Sequence, residues 1–204
     1  LMATPSRAEV VGMRAPECLQ LIMEPESGLK TEPVIVLDFQ SLYPSVMIAY
    51  NICYSTCLGR IEGDASTLGW MAWDRGYHGT TSFTPEDLLV TPNGVAFVKR
   101  HIRHGVLPKM LEELLDARLQ LKARLAATTN PATRKVLDAR QLGIKYILNV
   151  TYGYTAASFS GRMPCVDIAD SIVATGRATL EWAIRFIEGS HGAVRVVYGD
   201  TDSL

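Results

Sequence analysis

The stretch PVIVLDFQSLYPSVMIAYN, residues 33–51, joins an apolar run to a helical pattern. Residues 34–39 are mostly apolar and β-branched and follow a proline, which predicts a buried strand that ends at Asp38. Residues 41–51 then predict a helix, in which Pro44 is tolerated because the first helical turn needs no amide donor. The stretch therefore predicts a strand, a turn and a helix, with a carboxylate where the strand ends.

Two helical patterns further along the chain predict a hairpin. The first covers residues 108–127 and has leucines on one side. The second covers residues 132–154, and the sequence TTNP at 128–131 separates the two. Because the break is short, the two helices are expected to pack antiparallel as a hairpin over residues 108–154.

The remaining segments predict shorter elements around this hairpin. Residues 1–33 predict a lead-in segment with at most a short strand around 18–23, and the glycine- and proline-rich residues 58–96 predict a peripheral insertion of loops and short strands. A further helix is expected over 167–188 and a strand over 193–198. Since strands and helices alternate irregularly, we expect an α+β body with a helical projection.

Composition excludes several classes of protein. The chain has 204 residues, of which 48% are hydrophobic, and a formal net charge of −1, which is typical of a globular protein and not of a disordered one. The apolar runs are far shorter than the roughly 18 residues of a membrane span, so no membrane partner is expected. The 4 cysteines form no disulfide framework, which favours a reducing compartment. The first and last residues resemble the interior of a longer protein.

The small net charge conceals a segregation of charges along the chain. Residues 1–98 hold 5 basic and 11 acidic side chains, residues 99–145 hold 11 and 4, and residues 146–204 hold 4 and 6. The predicted hairpin therefore carries most of the cations. Such an excess suits a polyanion, although a solvated helix face is the ordinary alternative.

Three carboxylates lie at the ends of apolar runs. Asp38 ends the first run, and Asp200 and Asp202 follow the last one. If they meet, their mutual repulsion calls for a cation, and oxygen ligands without histidine favour Mg²⁺ or Mn²⁺ over Zn²⁺. The alternative is that each aspartate caps its own turn.

Polar side chains recur at four-residue spacing on both predicted helices of the hairpin. Arg118 and Lys122 share one face of the first helix, Lys145 and Asn149 share a face of the second, and Tyr152 lies one turn further. In an antiparallel hairpin Arg118 and Lys145 would be offset by roughly 7 Å along the axis. That offset suits a triphosphate, whereas a solvated surface is the alternative.

Three motifs in this order resemble those of family B DNA polymerases: DFQSLYPS at 38–45, KYILNVTYG at 145–153 and YGDTDS at 198–203. The flanking stretches APECLQLIMEPES, YNICYSTCLGR and TYGYTAASFSGRMPC resemble the translesion branch of that family. The resemblance covers nearly the whole chain.

The resemblance implies a polymerase palm, which is an antiparallel sheet with packed helices, into which a two-helix fingers hairpin is inserted. The implied parts are the lead-in segment (1–33), a first palm part (34–107) with its insertion at about 58–96, the fingers (108–154) and a second palm part (155–204).

The resemblance also implies a two-metal site for phosphoryl transfer. Asp38 and Asp202 match the carboxylates that bridge two Mg²⁺ ions, with Mn²⁺ as an alternative ion. Asp200 matches the accessory acid, and the backbone carbonyl of Phe39 matches a further ligand.

Further matching positions imply the nucleotide site. The backbone amides of Ser41 and Leu42 match the triphosphate contacts, as a helix N-terminus would favour, and Tyr43 matches the steric gate against ribose. The remaining matches are Arg118, Lys122, Lys145 and Asn149 for the nucleotide, and Tyr152 and Gly153 for the nascent base pair.

A nuclear, template-directed DNA polymerase follows from the resemblance. Its implied partners are primer-template DNA, deoxynucleoside triphosphates and accessory subunits bound through regions outside these residues. Translesion synthesis is the expected setting. Two alternatives are a catalytically silent polymerase-like scaffold and a helical single-strand binder, although few aromatic residues accompany the cations of the hairpin.

Two cysteines and two histidines are residue types that could bind zinc. The preferred interpretation is that the cysteines are buried thiols on a helix and that the histidines belong to a basic stretch. The four residues are Cys53, Cys57, His101 and His104. A template contact and a structural turn are equally expected at Arg162, Met163 and Pro164, and packing is expected at Trp70, Trp73 and His78.

Overall fold

A computed structural model describes residues 6–60, 84–157, 161–190, 192 and 194–204. Most of the predicted insertion, with Trp70, Trp73 and His78, lies outside the described residues. None of the helices within the described ranges is long and apolar enough to cross a membrane.

Helices and a small antiparallel sheet make up the described part of the chain. The helices are α1 (Arg7–Val11), α2 (Leu42–Ala49), α3 (Val106–Ala127), α4 (Pro131–Ala156) and α5 (Val166–Ser190), with a 3-10 turn at Pro85–Asp87. The strands are β1 (Cys57–Arg60), β2 (Leu88–Val90) and β3 (Val95–Val98). This combination confirms the predicted mixture of helices and an antiparallel sheet.

The sheet has β3 at its centre. The strand order is β1-β3-β2, and both pairs are antiparallel. Phe97 on β3 pairs with Cys57 on one side and with Leu89 on the other. All four residues of β3 are buried, because the central strand packs against the helices.

The strand predicted at 34–39 is wrong. Val34, Ile35 and Val36 are 62%, 78% and 77% exposed and form no ladder. Backbone pairing begins only at Leu37, which exchanges two hydrogen bonds of 2.9 Å with Leu204. An apolar run becomes a strand only where a neighbouring backbone satisfies its amides, and the described residues offer none to 34–36.

The strand predicted at 193–198 is also wrong, whereas the segment around 18–23, for which the sequence predicts at most a short strand, agrees with that expectation. The described residues of 194–198 are not in a strand, and residues 18–23 contribute a single bridge, between Ile22 and Asp200. Isolated hydrogen bonds, such as Met23 N–H to the Gly199 carbonyl at 2.8 Å, join these segments.

The hairpin of α3 and α4 forms as predicted, and local sequence explains its ends. Asn130 caps α4, since its side chain accepts hydrogen bonds from the amides of Ala132 and Thr133. Arg134 donates to the carbonyls of Leu125 and Thr128, which satisfies the end of α3. The two helices therefore reverse direction over three residues.

A hydrophobic core connects α2 to the sheet, the hairpin and α5. Its fully buried members include Met47, Ile52, Phe97, Leu111, Leu148, Ile168 and Ile172. At the end of α2, Asn51 has a positive φ of 53° and is buried. Its side chain donates to the carbonyls of Val98 and Arg103 and accepts from Gly105 N–H, so α2 is joined directly to the start of α3.

The helix expected to carry Cys53 and Cys57 does not form. Since α2 ends at Ala49, Cys53 lies in a turn and Cys57 begins β1. The change of direction occurs at Asn51, whose left-handed backbone conformation cannot continue a right-handed helix.

Candidate active site

The backbone brings two chain-distant aspartates together. Phe39 N–H donates to the carbonyl of Asp202 at 2.7 Å, and Asp38 forms an antiparallel bridge with Ser203. Asp200 bridges Ser203 across a tight turn. The three predicted acids therefore lie around one short stretch of paired backbone.

The turn between Asp200 and Asp202 depends on a left-handed residue. Thr201 has a φ of 54°, and its hydroxyl donates to the Asp200 carboxylate at 2.7 Å. Threonine rarely adopts this conformation, so the surrounding hydrogen bonds hold it there. The turn therefore carries the two acids on either side of Thr201.

The turn at residues 200–202, here called the acidic loop, lies close to Asp38, and the neighbouring carboxylates affect the pKa of Asp202. Desolvation raises the pKa of Asp202, and the charge of Asp38 raises it further, followed by that of Asp200. Asp202 and Asp200 are half-buried, whereas Asp38 is exposed. The neighbouring negative charges therefore disfavour the ionised form of Asp202.

The oxygen donors of this loop fit a hard divalent cation. Among the residues that the structure describes, no group of three or more histidine, cysteine or acidic side chains is arranged to hold a metal ion. Desolvation is the main cause of the raised pKa of Asp202, and the charges of Asp38 and Asp200 add a contribution that a bound cation would relieve. The donor set therefore suits Mg²⁺ or Mn²⁺.

Helix α2 begins beside the acidic loop in an uncommon conformation. Its N-cap, Ser41, has φ 55° and ψ 54°, which is the left-handed region, and its side chain caps no amide. The first amides of α2, from Leu42 onward, therefore have no side-chain cap from Ser41. A helix N-terminus of this kind attracts anions.

Tyr43 links the acidic loop to the hairpin. Its ring lies against that of Tyr152 on α4, with centroids 4.6 Å apart and planes tilted by 34°. Burial raises the pKa of Tyr43 to about 12, with smaller contributions from nearby groups. Those groups are Tyr152, Asp202 and Asp200, so the hydroxyl of Tyr43 is near both α4 and the acids.

The cations of the hairpin are staggered along its axis. Arg118 Nε donates to Gln141 Oε1 at 3.4 Å, which sets the register of α3 against α4. Lys145 lies one turn beyond Gln141, or about 6 Å along the axis, close to the offset expected from the sequence. Arg118 is half-buried, and Lys122, Lys145 and Asn149 are exposed.

Gly153 follows Tyr152 at the inner end of α4. It is exposed, and a Cβ placed on it would meet nothing within 4 Å. The described residues therefore leave space around Gly153. The roles expected for Tyr43, Tyr152 and Gly153 stay predictions.

Two residues of α5 that sequence reasoning missed contact this region. Asp170 is 1% exposed, and its carboxylate accepts hydrogen bonds from the amides of Glu17 and Cys18 at 3.1–3.2 Å. Burial raises the pKa of Tyr152, and the charge of Asp170 raises it further. Gly176 lies against Tyr43. The available signals were an acid and a glycine inside an apolar helix pattern.

The four residues with zinc-site chemistry have other partners. Cys53 Sγ accepts from the Leu107 amide at 3.4 Å, His101 Nε2 lies 3.3 Å from the Asp87 carboxylate, and His104 pairs with Glu112 at 3.5 Å. Burial raises the pKa of the Cys57 thiol. These contacts favour packing over metal binding at the four residues.

The segment after α4 forms a turn against the core. Tyr54 donates its hydroxyl to the carbonyl of Met163 at 2.5 Å, and Pro164 is buried, whereas Arg162 is exposed. The structure thus gives Met163 and Pro164 a packing role. A template contact by Arg162 stays a prediction.

Comparisons with known proteins agree with the three motifs. The family model for DNA polymerase family B matches residues 18–204. The human DNA polymerase zeta catalytic subunit is 53% identical over 98% of this chain, and the DNA polymerase delta catalytic subunit of Mesocricetus auratus is 40% identical over 90%. The chain spans 7% and 16% of the lengths of these two relatives.

A solved structure has the same fold. The family B DNA polymerase of the hyperthermophilic archaeon Pyrobaculum calidifontis matches with a TM-score of 0.64 and 29% identity, over 93% of this chain and 23% of that one. Both the sequence and the fold therefore point to one family. This chain belongs to DNA polymerase family B.

Proposed function

We propose that this chain carries the palm and fingers of a template-directed DNA polymerase that adds deoxynucleoside triphosphates to a primer 3′-hydroxyl. The observation that carries the proposal is the position of Tyr43, which packs on Tyr152 of the hairpin and lies near the acids of the 200–202 turn. In the proposed site, the acids would lie on one side of the nucleotide and the cations of the hairpin on the other.

The acids are the proposed ligands of two Mg²⁺ ions, with Mn²⁺ as an alternative. The carboxylates of Asp38 and Asp202 and the carbonyl of Phe39 would hold the ions, and Asp200 would act as the accessory acid. Bound ions would lower the pKa of the primer hydroxyl and neutralise the leaving pyrophosphate. The pKa of Asp202 supports this assignment, because the charges of Asp38 and Asp200 add to the rise caused by desolvation, and a cation would relieve that repulsion.

The nucleotide would lie between α2 and the hairpin. The amides of Ser41 and Leu42 would bind the triphosphate from the side of α2. The side chains of the hairpin would bind it from the other side, namely those of Arg118, Lys122, Lys145 and Asn149. The uncapped start of α2 and the exposure of Lys145 support these contacts. Closure of the hairpin onto the triphosphate would then order the site.

Tyr43 is the proposed steric gate. Its ring would fill the space of a ribose 2′-hydroxyl, while Tyr152 and Gly153 would pack on the nascent base pair. The packing of the two tyrosines and the open space at Gly153 support these roles.

Translesion synthesis is the proposed setting of this activity. Identity to the human zeta catalytic subunit exceeds identity to the delta subunit, 53% against 40%, which supports the zeta branch. A nuclear location and accessory subunits that bind outside these residues belong to the same proposal.

Primer extension by the full-length protein tests the proposal. Asp202→Asn removes one charge with little change in shape, and we expect near-complete loss of incorporation with primer-template binding retained. Glu86→Gln is the matched control, since Glu86 is an exposed acid of the 3-10 turn. A silent scaffold instead predicts equal incorporation by both variants and the parent, and that result would overturn the proposal.

A further inference from the structure

Gly176 stands in the middle of the buried face of α5. Glycine weakens a helix interior relative to alanine, because it has more conformational freedom to lose on folding. Its neighbours Thr175 and Leu180 are buried, so the position belongs to the core and not to an exposed helix end. A glycine at such a position indicates that a neighbouring group leaves no room for a side chain.

The side chain of Tyr43 is that neighbouring group. A Cβ built on Gly176 would lie 3.1 Å from Tyr43 Cε1, 3.5 Å from Tyr43 Cδ1 and 3.5 Å from Leu42 Cδ2. Carbon atoms pack best at about 3.5–4.0 Å, so the contact with Cε1 is too short by a few tenths of an ångström. Only a residue without a Cβ lets the ring lie where it does.

The Tyr43 ring has a second close neighbour. The Tyr152 ring lies 4.6 Å from it, centroid to centroid. The backbone cannot easily yield, because Leu42 is buried and the helix begins at the left-handed Ser41. A methyl group at position 176 would therefore displace the Tyr43 ring and alter its packing against Tyr152.

We propose that Gly176 is a positioning residue for sugar selection, because its missing side chain sets the depth at which the Tyr43 ring lies in the nucleotide pocket. The inference rests on the proposed function, in which Tyr43 excludes the ribose hydroxyl. Gly176 acts through Tyr43 and does not itself touch the nucleotide.

The test compares Gly176→Ala with Gly189→Ala in the full-length polymerase. Gly189 is in the same helix, and a Cβ there would meet nothing within 4 Å. A displacement of 1 Å costs about 100-fold in rate, so a few tenths of an ångström should lower kcat/KM for deoxynucleotides by about three- to tenfold in Gly176→Ala. We expect the loss mainly in KM, and none in Gly189→Ala.

A sugar-dependent readout separates positioning from general damage. Nucleotides with a 2′-fluoro group are slightly larger at the gate, so Gly176→Ala should lower their kcat/KM relative to deoxynucleotides by a further factor of about three. Damage elsewhere would lower both equally. An unchanged ratio of the two, or equal behaviour of the two alanine variants, would overturn the inference.

A double-variant cycle removes the ring that the new methyl group meets. In the Tyr43→Ala background, Gly176→Ala should have no effect on kcat/KM for deoxynucleotides. An equal loss in both backgrounds contradicts the inference. If Gly176→Ala alone fails to fold, Tyr43→Ala should restore folding, and failure to do so contradicts it as well.

The outcomes distinguish this inference from the function on which it rests. If Asp202→Asn incorporates as well as the parent, the polymerase function itself is wrong. If Asp202→Asn is inactive and Gly176→Ala matches Gly189→Ala, only the role of Gly176 is wrong.

Discussion

Phe39 N–H donates to the carbonyl of Asp202 at 2.7 Å, which joins the segment before α2 to the last residues of the chain. Together with the two hydrogen bonds between Leu37 and Leu204, it holds Asp38 and Asp202 near each other, although most of the sequence separates them. Every proposed catalytic step depends on that proximity. The opposite wall of the proposed site would be the hairpin, in which Arg118 contacts Gln141 across the two helices.

Replacing Lys145 should impair nucleotide binding. A charge-assisted hydrogen bond contributes about 1.5–3 kcal/mol, so Lys145→Ala should lower kcat/KM for deoxynucleotides about 10- to 100-fold. Lys109→Ala is the control, because Lys109 is an exposed cation at the base of α3. Steady-state primer extension measures both, and equal effects would exclude a specific role for Lys145.

Removing the ring of Tyr43 should relax the choice of sugar. Tyr43→Ala opens the space that the ring fills, and steric pockets discriminate by roughly 10- to 200-fold, so ribonucleotide incorporation relative to deoxynucleotides should rise within that range. Tyr43→Phe keeps the ring and should keep the discrimination. The ratio of the two kcat/KM values is the measurement, and continued rejection of ribonucleotides by Tyr43→Ala would remove the gate assignment.

The raised pKa of Asp202 predicts a pH dependence of stability. A carboxyl group whose pKa is higher in the folded protein than in the unfolded chain binds its proton more tightly when folded. Its contribution to stability therefore falls as pH rises from the ordinary value of 3.8 through the raised value. Asp202→Asn should abolish this part of the pH profile and raise the metal-free unfolding temperature at pH 7.

Bound Mg²⁺ should offset the loss of stability that ionisation of Asp202 causes in the parent protein. A ligand that binds only the folded state raises the unfolding temperature. We expect added Mg²⁺ to raise the unfolding temperature of the parent more than that of Asp202→Asn, as measured by thermal unfolding. An equal rise in both proteins would argue against Asp202 as a ligand.

Asn51 should be among the residues most sensitive to substitution. Asn51→Ala removes three hydrogen bonds and leaves the Gly105 amide and two carbonyls unpaired in the core. The expected loss in free energy of unfolding is about 2–4 kcal/mol. Asn130→Ala, which removes an exposed helix cap, should cost only about 1 kcal/mol. Denaturant unfolding compares the two, and similar losses would contradict the anchoring role.

The helical hairpin could be predicted because its signals are local. Periodic leucines, the break at 128–131 and the cap at Asn130 all act within a few residues, and the four-residue spacing placed Arg118 and Lys122 on one face. The motif positions followed from resemblance, because they are short ordered strings of residues. Neither kind of signal needs knowledge of distant parts of the chain.

The strands, the pairing of the acids and the setting of Tyr43 depended on the tertiary structure. Val34 and Val36 have the composition of a strand, yet a strand exists only where another backbone satisfies its amides. An acid and a glycine stand out in the apolar pattern of α5, but the sequence does not show what they contact. The packing of the fold shows that Gly176 lies against Tyr43 and that Asp170 accepts hydrogen bonds from the amides of residues 17 and 18. Burial and backbone pairing depend on contacts between residues that are distant in the sequence. Local sequence patterns therefore do not predict them.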